Sequence, residues 1–280
     1  MTLEKNTIYH RDNLSVLKEI PDESVDLIYI DPPFNTGKKQ SRTRIKTEQS
    51  PDGDRNGFGG NRYKTTVIGT QSYEDKFNEY IDGFLKPRLK EAHRILKLDG
   101  TLYFHIDYRE VYRCRILLDK IFEIQAGKGG FLNEIIWAYD YGGRSKKKWP
   151  AKHDNILVYT KDQHDYYFDE KYVNEIQYRA PSLNGLEMIP PTDTWWHTIV
   201  PTNGSERTGY PTQKPLGILD RIVLASSKEE DLVLDFFAGS GTIGESCLRF
   251  NRRFIMVDNN PEAYKVMEDR FWGEKSIRWI

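Results

Sequence analysis

Asp231-Leu232-Val233-Leu234-Asp235-Phe236-Phe237-Ala238-Gly239-Ser240-Gly241-Thr242 decides the fold, because an apolar strand here runs into a glycine turn and then into a helix with Ile243, Cys247 and Phe250 inward. Glycines at such a turn let a ligand approach the backbone, and the helix start offers unpaired N–H groups. A Gly-x-Gly alone says little. Its context adds weight: Phe254-Ile255-Met256-Val257-Asp258 reads as a second strand ending in an acid. That acid lies about 20 residues on, where a carboxylate reaches ribose hydroxyls. Asn260 and Pro261 then cap and open the last helix, with Tyr264, Met267 and Phe271 on its buried face. A nucleoside cofactor is expected. Gly244 falls inside the helix rather than in the turn, so a pyrophosphate is not compelled. An adenosine without phosphate fits at least as well, with Asp235 placed to meet an ammonium group.

Working outward, Val25-Asp26-Leu27-Ile28-Tyr29-Ile30 reads as another buried strand, and it ends in Asp31-Pro32-Pro33-Phe34. Proline fixes φ and removes a backbone donor, so Pro32 and Pro33 end the strand and leave nearby carbonyls without a ladder partner. A carboxylate, a carbonyl and an aromatic face thus lie within a few residues of one another. They are the groups needed to hold a planar ring bearing an amino group. The plainer reading is a strand end followed by a Pro-Pro turn.

Around these two motifs the sequence alternates strands and helices in the βα manner of a mainly parallel sheet with helices on both faces. Thr7–His10 reads as a strand followed by a helix capped by Asp12 or Asn13. Apolar residues at helical spacing predict a helix from Ser72 to Leu98, divided near Pro87. Thr101–Ile106 is a strand followed by a helix through Val111, Cys114, Leu117, Leu118 and Ile121, and Glu134–Ala138 and Asn155–Tyr159 are further strands. Residues 1–280 read as a single α/β domain with two insertions. Residues 35–69 are a polar, basic stretch taken as a loop, holding Lys38, Lys39, Arg42 and Arg44; it serves either as a lid or DNA contact or as solvated surface. Residues 162–208 are weakly periodic, hold Trp195, Trp196 and Arg207, and read as an irregular insertion on one edge of the sheet. Between the strands at 134–138 and 155–159, Arg144, Lys146, Lys147 and Lys148 form a basic loop beside Trp149, suited to phosphate and base contacts.

Lys and Arg total 41 against 42 for Asp and Glu, so a polyanion would be met by local patches rather than by the net charge of −1. No apolar run approaches the ~20 residues of a membrane span. Residues 1–6 are polar and do not read as a secretory signal, and the only two cysteines, Cys114 and Cys247, lack metal-ligand spacing; both features suit a reducing cytoplasm and give no metal site.

Taken together, Asp31-Pro32-Pro33-Phe34, Phe237-Ala238-Gly239-Ser240-Gly241-Thr242 and Tyr210-Pro211-Thr212-Gln213-Lys214-Pro215 resemble the DNA amino-methyltransferases. Their order resembles the β class, in which the catalytic tetrapeptide precedes the cofactor motif. The resemblance implies a Rossmann-like methyltransferase fold with circularly permuted motifs, S-adenosylmethionine as cofactor and double-stranded DNA as substrate. It makes residues 162–208 the expected target-recognition region, and it leaves room for a homodimer and for a cognate restriction endonuclease as partners. By the same resemblance Phe237, Gly239 and Gly241, with Ala238, Ser240 and Thr242, would line the cofactor. Asp235 would meet its methionine end, Lys214 its carboxylate, Asp258 with Asn259 its ribose, and Asp12 with Asn13 its adenine. Two departures stand out: Phe34 replaces a more usual Tyr, and Arg11 stands where the family often has Gly. Asp31, rather than Ser, at the first position resembles the adenine-N6 members more than the cytosine-N4 ones.

The chemistry agrees from below. An exocyclic ring amine is a poor nucleophile because its lone pair is delocalised. Two acceptors, the Asp31 carboxylate and the Pro32 carbonyl, would draw its hydrogens toward a tetrahedral arrangement, and Asp31 would take the proton released. The base would have to be flipped out of the duplex, with Phe34 stacking on it. The rivals are cytosine-N4 methylation, a dinucleotide-dependent oxidoreductase using the Gly239 turn, and a catalytically silent DNA-binding subunit.

Overall fold

The computed structural model describes residues 6–56, 60–143, 145–176, 178–179, 188–189, 191–201 and 204–280. Strand β1 (Asn6–Tyr9) leads into the short helix α1 (Asn13–Leu17), whose N-cap Asp12 accepts from the Ser15 N–H, and then into β2 (Val25–Ile30). The chain leaves the sheet as an antiparallel ribbon, β3 (Lys38–Gln49) against β5 (Arg62–Asp75), with the two-residue β4 (Arg55–Asn56) on the far side of β5. A π-helical turn over Tyr80–Leu85 continues into α2 (Lys86–Ile95), followed by β6 (Leu96–Ile106), α3 (Val111–Ile121), β7 (Gly130–Ala138) and β8 (His153–Thr160). Helix α4 (Glu170–Glu175), the pair β9 (Tyr178–Arg179) and β10 (Met188–Ile189), and β11 (Thr194–Trp196) lie within the 162–208 segment. The last part is α5 (Leu216–Ser226), β12 (Leu232–Asp235), α6 (Thr242–Arg249), β13 (Arg253–Val257), α7 (Pro261–Arg270) and β14 (Ile277–Trp279).

Among the described residues, nine strands form one sheet in the order β11-β7-β8-β6-β2-β12-β13-β1-β14. Strand β8 runs antiparallel to both β6 and β7, and the other neighbours pair in parallel, so the sheet is mixed. The central strands are apolar on both faces because both faces are covered. Ile28 and Ile30 of β2 and Leu234 of β12 pack with Val16, Leu89, Ala92, Cys114 and Leu118 of α1, α2 and α3. Leu27, Tyr29 and Val233 point the other way, onto Leu219, Ile222, Ile243, Cys247 and Met267 of α5, α6 and α7. The two cysteines are buried, one on each side. Among the described residues no helix is long and apolar enough to cross a membrane.

Three sequence expectations need correction. Residues 35–69 are not an irregular loop: most of them belong to the β3–β5 ribbon, whose twelve register pairs run from Lys38↔Asp75 to Gln49↔Tyr63 with a bulge at Arg44/Ile45. The helix expected from Ser72 is shorter, because Tyr73 lies in β5 and Leu96 begins β6; the division expected near Pro87 falls where the π-helical turn gives way to α2. The edge of the sheet near 162–208 is not wholly irregular either, since Thr194–Trp196 pairs in parallel with Ile136–Ala138.

Candidate active site

Strands β2 and β12 are neighbours (Leu27↔Val233, Ile28↔Leu234), so Asp31 and Asp235 emerge side by side at the carboxyl edge of the sheet, where open α/β folds bind ligands. A cavity of about 390 Å³ opens there, lined by both motifs. Its size falls within the range of roughly 300–1,000 Å³ of small-molecule sites.

On the β2 side, Asp31 Oδ2 forms an ion pair with Lys214 Nζ, and both side chains are nearly buried, 14% and 12% exposed. Asp31 Oδ1 is buried and has no hydrogen-bond partner among the described residues. The Pro33 carbonyl accepts from the Tyr80 hydroxyl at 2.5 Å, which fixes the Pro-Pro turn onto the π-helical turn. Phe34 is half-buried, its ring centroid 5.9 Å from that of His105 and 5.2 Å from the Lys214 ammonium. Lys214 arrives on a braced loop. The Gln213 Oε1 accepts from both the N–H and the hydroxyl of Thr208 (2.8 and 2.9 Å), its amide donates to the Glu206 carbonyl (2.6 Å), and Glu206 accepts from the Leu216 N–H (2.9 Å) at the start of α5.

On the β12 side, Gly239 and Gly241 adopt left-handed backbone angles, φ +51° and +73°, which favour glycine. A Cβ on Gly239 would press on the buried Tyr210 ring, 3.2 Å away. A Cβ on Gly241 would meet Met267 Cγ at 2.9 Å and Phe271 Cε2 at 3.0 Å, so Gly241 seats α6 against α7 rather than lining the cavity. Gly244 packs on Met256 in the same way. Asp258 organises the turn: its two oxygens accept from the N–H groups of Gly239 (2.8 Å) and Asn260 (2.9 Å). Burial raises the Asp258 carboxyl above its ordinary range against those hydrogen bonds. Burial raises Asp235 much further, with the Asp31 and Asp258 charges adding to it and the Phe237 N–H opposing it.

The remaining sequence candidates divide. Pro32, Phe237, Ala238, Ser240, Thr242 and Asn259 line the cavity, as do Asp12 and Asn13. The polar groups of the last two are already engaged. Arg88 donates to Asp12 Oδ2 (3.1 Å) and Asn13 Oδ1 (2.6 Å), lies 4.2 Å over the Phe84 ring, and Asn13 donates to the Phe236 carbonyl (2.7 Å). Arg11 turns away to pair with Glu19 at 2.6 Å. Lys214, expected at a ligand carboxylate, is paired with Asp31. Sequence reading missed Arg88 and assigned Phe77, Tyr80 and Phe84 only to packing; Phe77, Phe84, Arg88 and Tyr210 line the cavity.

Among the described residues, none of the expected DNA-contacting ones lines it. Lys146, Lys147 and Lys148 are exposed on a turn held by Ser145 Oγ, which accepts from the Lys147 and Lys148 N–H groups at 3.2 Å each. Trp149 is 95% and Trp196 50% exposed, whereas Trp195 packs against the core with Arg221 over its ring at 5.5 Å. Arg207 braces its own loop by donating to the Pro201 carbonyl at 3.1 Å. Lys38, Lys39, Arg42 and Arg44 lie on β3, with side chains outside the described set, and Arg144 lies outside the described residues. Beneath Phe34, the Tyr29 hydroxyl meets His105 Nδ1 (2.9 Å) and His105 Nε2 meets Asp154 (3.3 Å), which also accepts from Tyr139 (3.0 Å).

The model of the N6/N4 DNA methylase family matches residues 25–269, a span that takes in both strand ends and the glycine turn. The chain belongs to that family. This methylase is 30% identical over 263 residues to the type II methyltransferase M.HpaI of Haemophilus parainfluenzae, covering 93% of this chain and 72% of the relative. It is 32% identical over 276 residues to the DNA adenine methyltransferase YhdJ of Escherichia coli strain K12, covering 94% and 81%. Among solved structures, the PvuII DNA methyltransferase (cytosine-N4-specific) matches the methylase with a TM-score of 0.65 at 20% identity, over 96% of this chain and 88% of that one. The Thermus thermophilus protein TTHA0409, solved in complex with S-adenosyl-L-methionine, matches with a TM-score of 0.61 at 17% identity, over 98% of each chain. These structural likenesses concern the fold.

Proposed function

We propose that this DNA methylase transfers a methyl group from S-adenosylmethionine to the N6 amino group of an adenine flipped out of duplex DNA. The observation that carries the reading is the buried, unpartnered Oδ1 of Asp31, held at a strand end beside Phe34 and in one cavity with the glycine turn. A buried acceptor without a protein donor is costly, and a substrate N–H removes that cost. The cavity suits the methyl donor: Asp235 offers a buried carboxylate to an ammonium, Asp258 an acceptor to a ribose diol, and Phe77, Phe84 and Phe237 aromatic faces to a purine. When bound there, the cofactor supplies an electrophilic sulfonium methyl.

The chain's own residues do the rest. Phe34 offers a face to the flipped base. Asp31 Oδ1 and the Pro32 carbonyl accept the two amine hydrogens, which localises the nitrogen lone pair; as the N–C bond to the methyl forms, the methyl–sulfur bond would break to leave the neutral thioether S-adenosylhomocysteine, and Asp31 takes the proton lost from the amine. Adenine is favoured over cytosine by the aspartate at position 31 and by the likeness to an adenine methyltransferase at 32% identity. Lys146 to Lys148 and the β3–β5 ribbon are assigned to the DNA backbone, and Trp196 to the recognition edge.

The test is nucleoside mass spectrometry of methylation-free DNA treated with the protein and isotopically labelled cofactor. Label in N6-methyladenine supports the proposal, label in N4-methylcytosine moves it to the other base, and no label removes it. Sequencing the product with a modification-sensitive method gives the recognition site.

A further inference from the structure

We infer that Lys214 is a positioning residue for the methyl-transfer step: it clamps Asp31 by Oδ2 so that Oδ1 alone is presented to the target amine. This rests on the proposed function. It assigns Lys214 to the acceptor rather than to the cofactor carboxylate that its motif suggests.

Three independent features carry it. The ammonium is paired with Asp31 Oδ2 in a nearly buried place, with 12% and 14% of the two side chains exposed, where an ion pair is screened less than at a surface. The other oxygen of the same carboxylate is buried and unpartnered, so the group has one face occupied and one free. The loop that carries Lys214 is fixed by the Gln213 and Glu206 hydrogen bonds on either side of it, and the Lys214 ammonium lies 5.2 Å from the Phe34 ring centroid. A carboxylate at the end of one rotatable side chain can present either oxygen, or neither, to an incoming amine. The clamp removes that freedom before the base arrives, and the same ammonium steadies the ring on which the base is to stack. The three residues before α5 divide the work: Gln213 braces the loop, Lys214 reaches across the cavity, and Pro215 opens the helix.

The experiment compares the full-length protein with Lys214→Met, Lys214→Gln and Lys214→Arg. Cofactor affinity is read by calorimetry and methyl transfer by single-turnover assays at saturating cofactor and DNA. Misplacement of a reacting group by about 1 Å costs roughly a hundredfold. Lys214→Met and Lys214→Gln are therefore expected to slow single-turnover transfer about a hundredfold with S-adenosylmethionine affinity changed less than about threefold. Lys214→Arg, which keeps a cation on a long stem, should recover a large part of the rate. A variant that binds cofactor more than about tenfold more weakly, yet transfers at the wild-type rate once saturated, overturns the inference and returns Lys214 to the cofactor carboxylate. Equal rates for all four proteins also overturn it. If a neutral variant does not fold, judged by circular dichroism, Lys214→Arg decides: a transfer rate unchanged within about twofold at a more than tenfold weaker cofactor affinity overturns the clamp, and the reverse split supports it. Failure of the underlying function looks different, because wild type itself would then leave no label on a DNA amino group.

Discussion

Asp31 and Asp235 end adjacent strands of one sheet and share one cavity, yet they stand in opposite electrostatic conditions. Asp31 has a lysine against one oxygen and, among the described residues, nothing against the other. Asp235 has no ion pair among the described residues; it accepts from the Phe237 N–H, and burial with neighbouring negative charges drives its carboxyl well above the ordinary range. Environment, not residue type, separates them: in the proposed function one serves as an acceptor for a neutral amine and the other as a site for a cationic ligand.

The contrast can be broken from either side. Asp31→Ala is the largest expected effect: single-turnover methyl transfer should fall by about 10²–10⁴-fold or more, the scale of a lost acid–base group, while calorimetric cofactor affinity stays near wild type. Substantial turnover in that variant would erase the distinction between the two carboxylates. Asp258→Ala, which removes a charged acceptor on the cofactor side, should weaken cofactor binding by roughly 1.5–3 kcal/mol, about 10- to 150-fold, without a comparable loss in saturated transfer. Unchanged affinity would place the ribose elsewhere.

Asp235→Asn sharpens the comparison through stability. The folded-state pKa of Asp235 is raised, so between the ordinary carboxylate range and that raised value the folded protein holds a proton the unfolded chain has released. Stability of the ligand-free protein therefore falls as pH rises through that window, and the asparagine variant lacks this contribution. Its Tm advantage over wild type should grow with pH by a few degrees, about 2–4 °C per kcal/mol, while its cofactor affinity drops. A Tm difference that does not vary between about pH 4 and 8 would show that the burial of this carboxylate costs nothing. The smallest expected effect lies outside the cavity. Replacing Lys146, Lys147 and Lys148 with Ala should flatten the slope of log DNA affinity against log salt by about 0.9 for each phosphate no longer neutralised, equally for cognate and noncognate duplexes. Equal slopes would leave that turn as solvated surface.

What the sequence made legible was local. The strand, glycine turn and helix around Gly239, the acid at Asp258, the Asn260 cap and the Asp31 strand end each declare themselves within a dozen residues, and all fall where expected. The β3–β5 ribbon did not, because its residues are polar in long runs and carry no alternation of apolar and polar positions. Pairing between distant segments fixes it, and pairing leaves no local mark. Arg88 was missed for a related reason: its partners, Asp12 and Asn13, lie 75 or more residues away. The commitment of Lys214 to Asp31 spans 183 residues and emerges only once the sheet has brought the two motifs together.

The ribbon has a mechanical consequence. It springs from the chain directly after Phe34, and its root is closed by Asp75, whose carbonyl accepts from the Gly37 N–H at 2.9 Å and whose carboxylate accepts from the Thr36 hydroxyl. Asn35 ties that root to Glu110 (2.9 Å) and to the Phe77 N–H (3.3 Å), between two rings that line the cavity, Phe34 and Phe77. Twelve pairs at roughly 3.4 Å each make an arm of about 40 Å. On such an arm a tilt of about 6° carries the far end some 4 Å while the pivot beside Phe34 shifts by well under an ångström. An arm of that length gives its outer end reach over an uneven surface for little displacement of the Asp31 strand end beside its root.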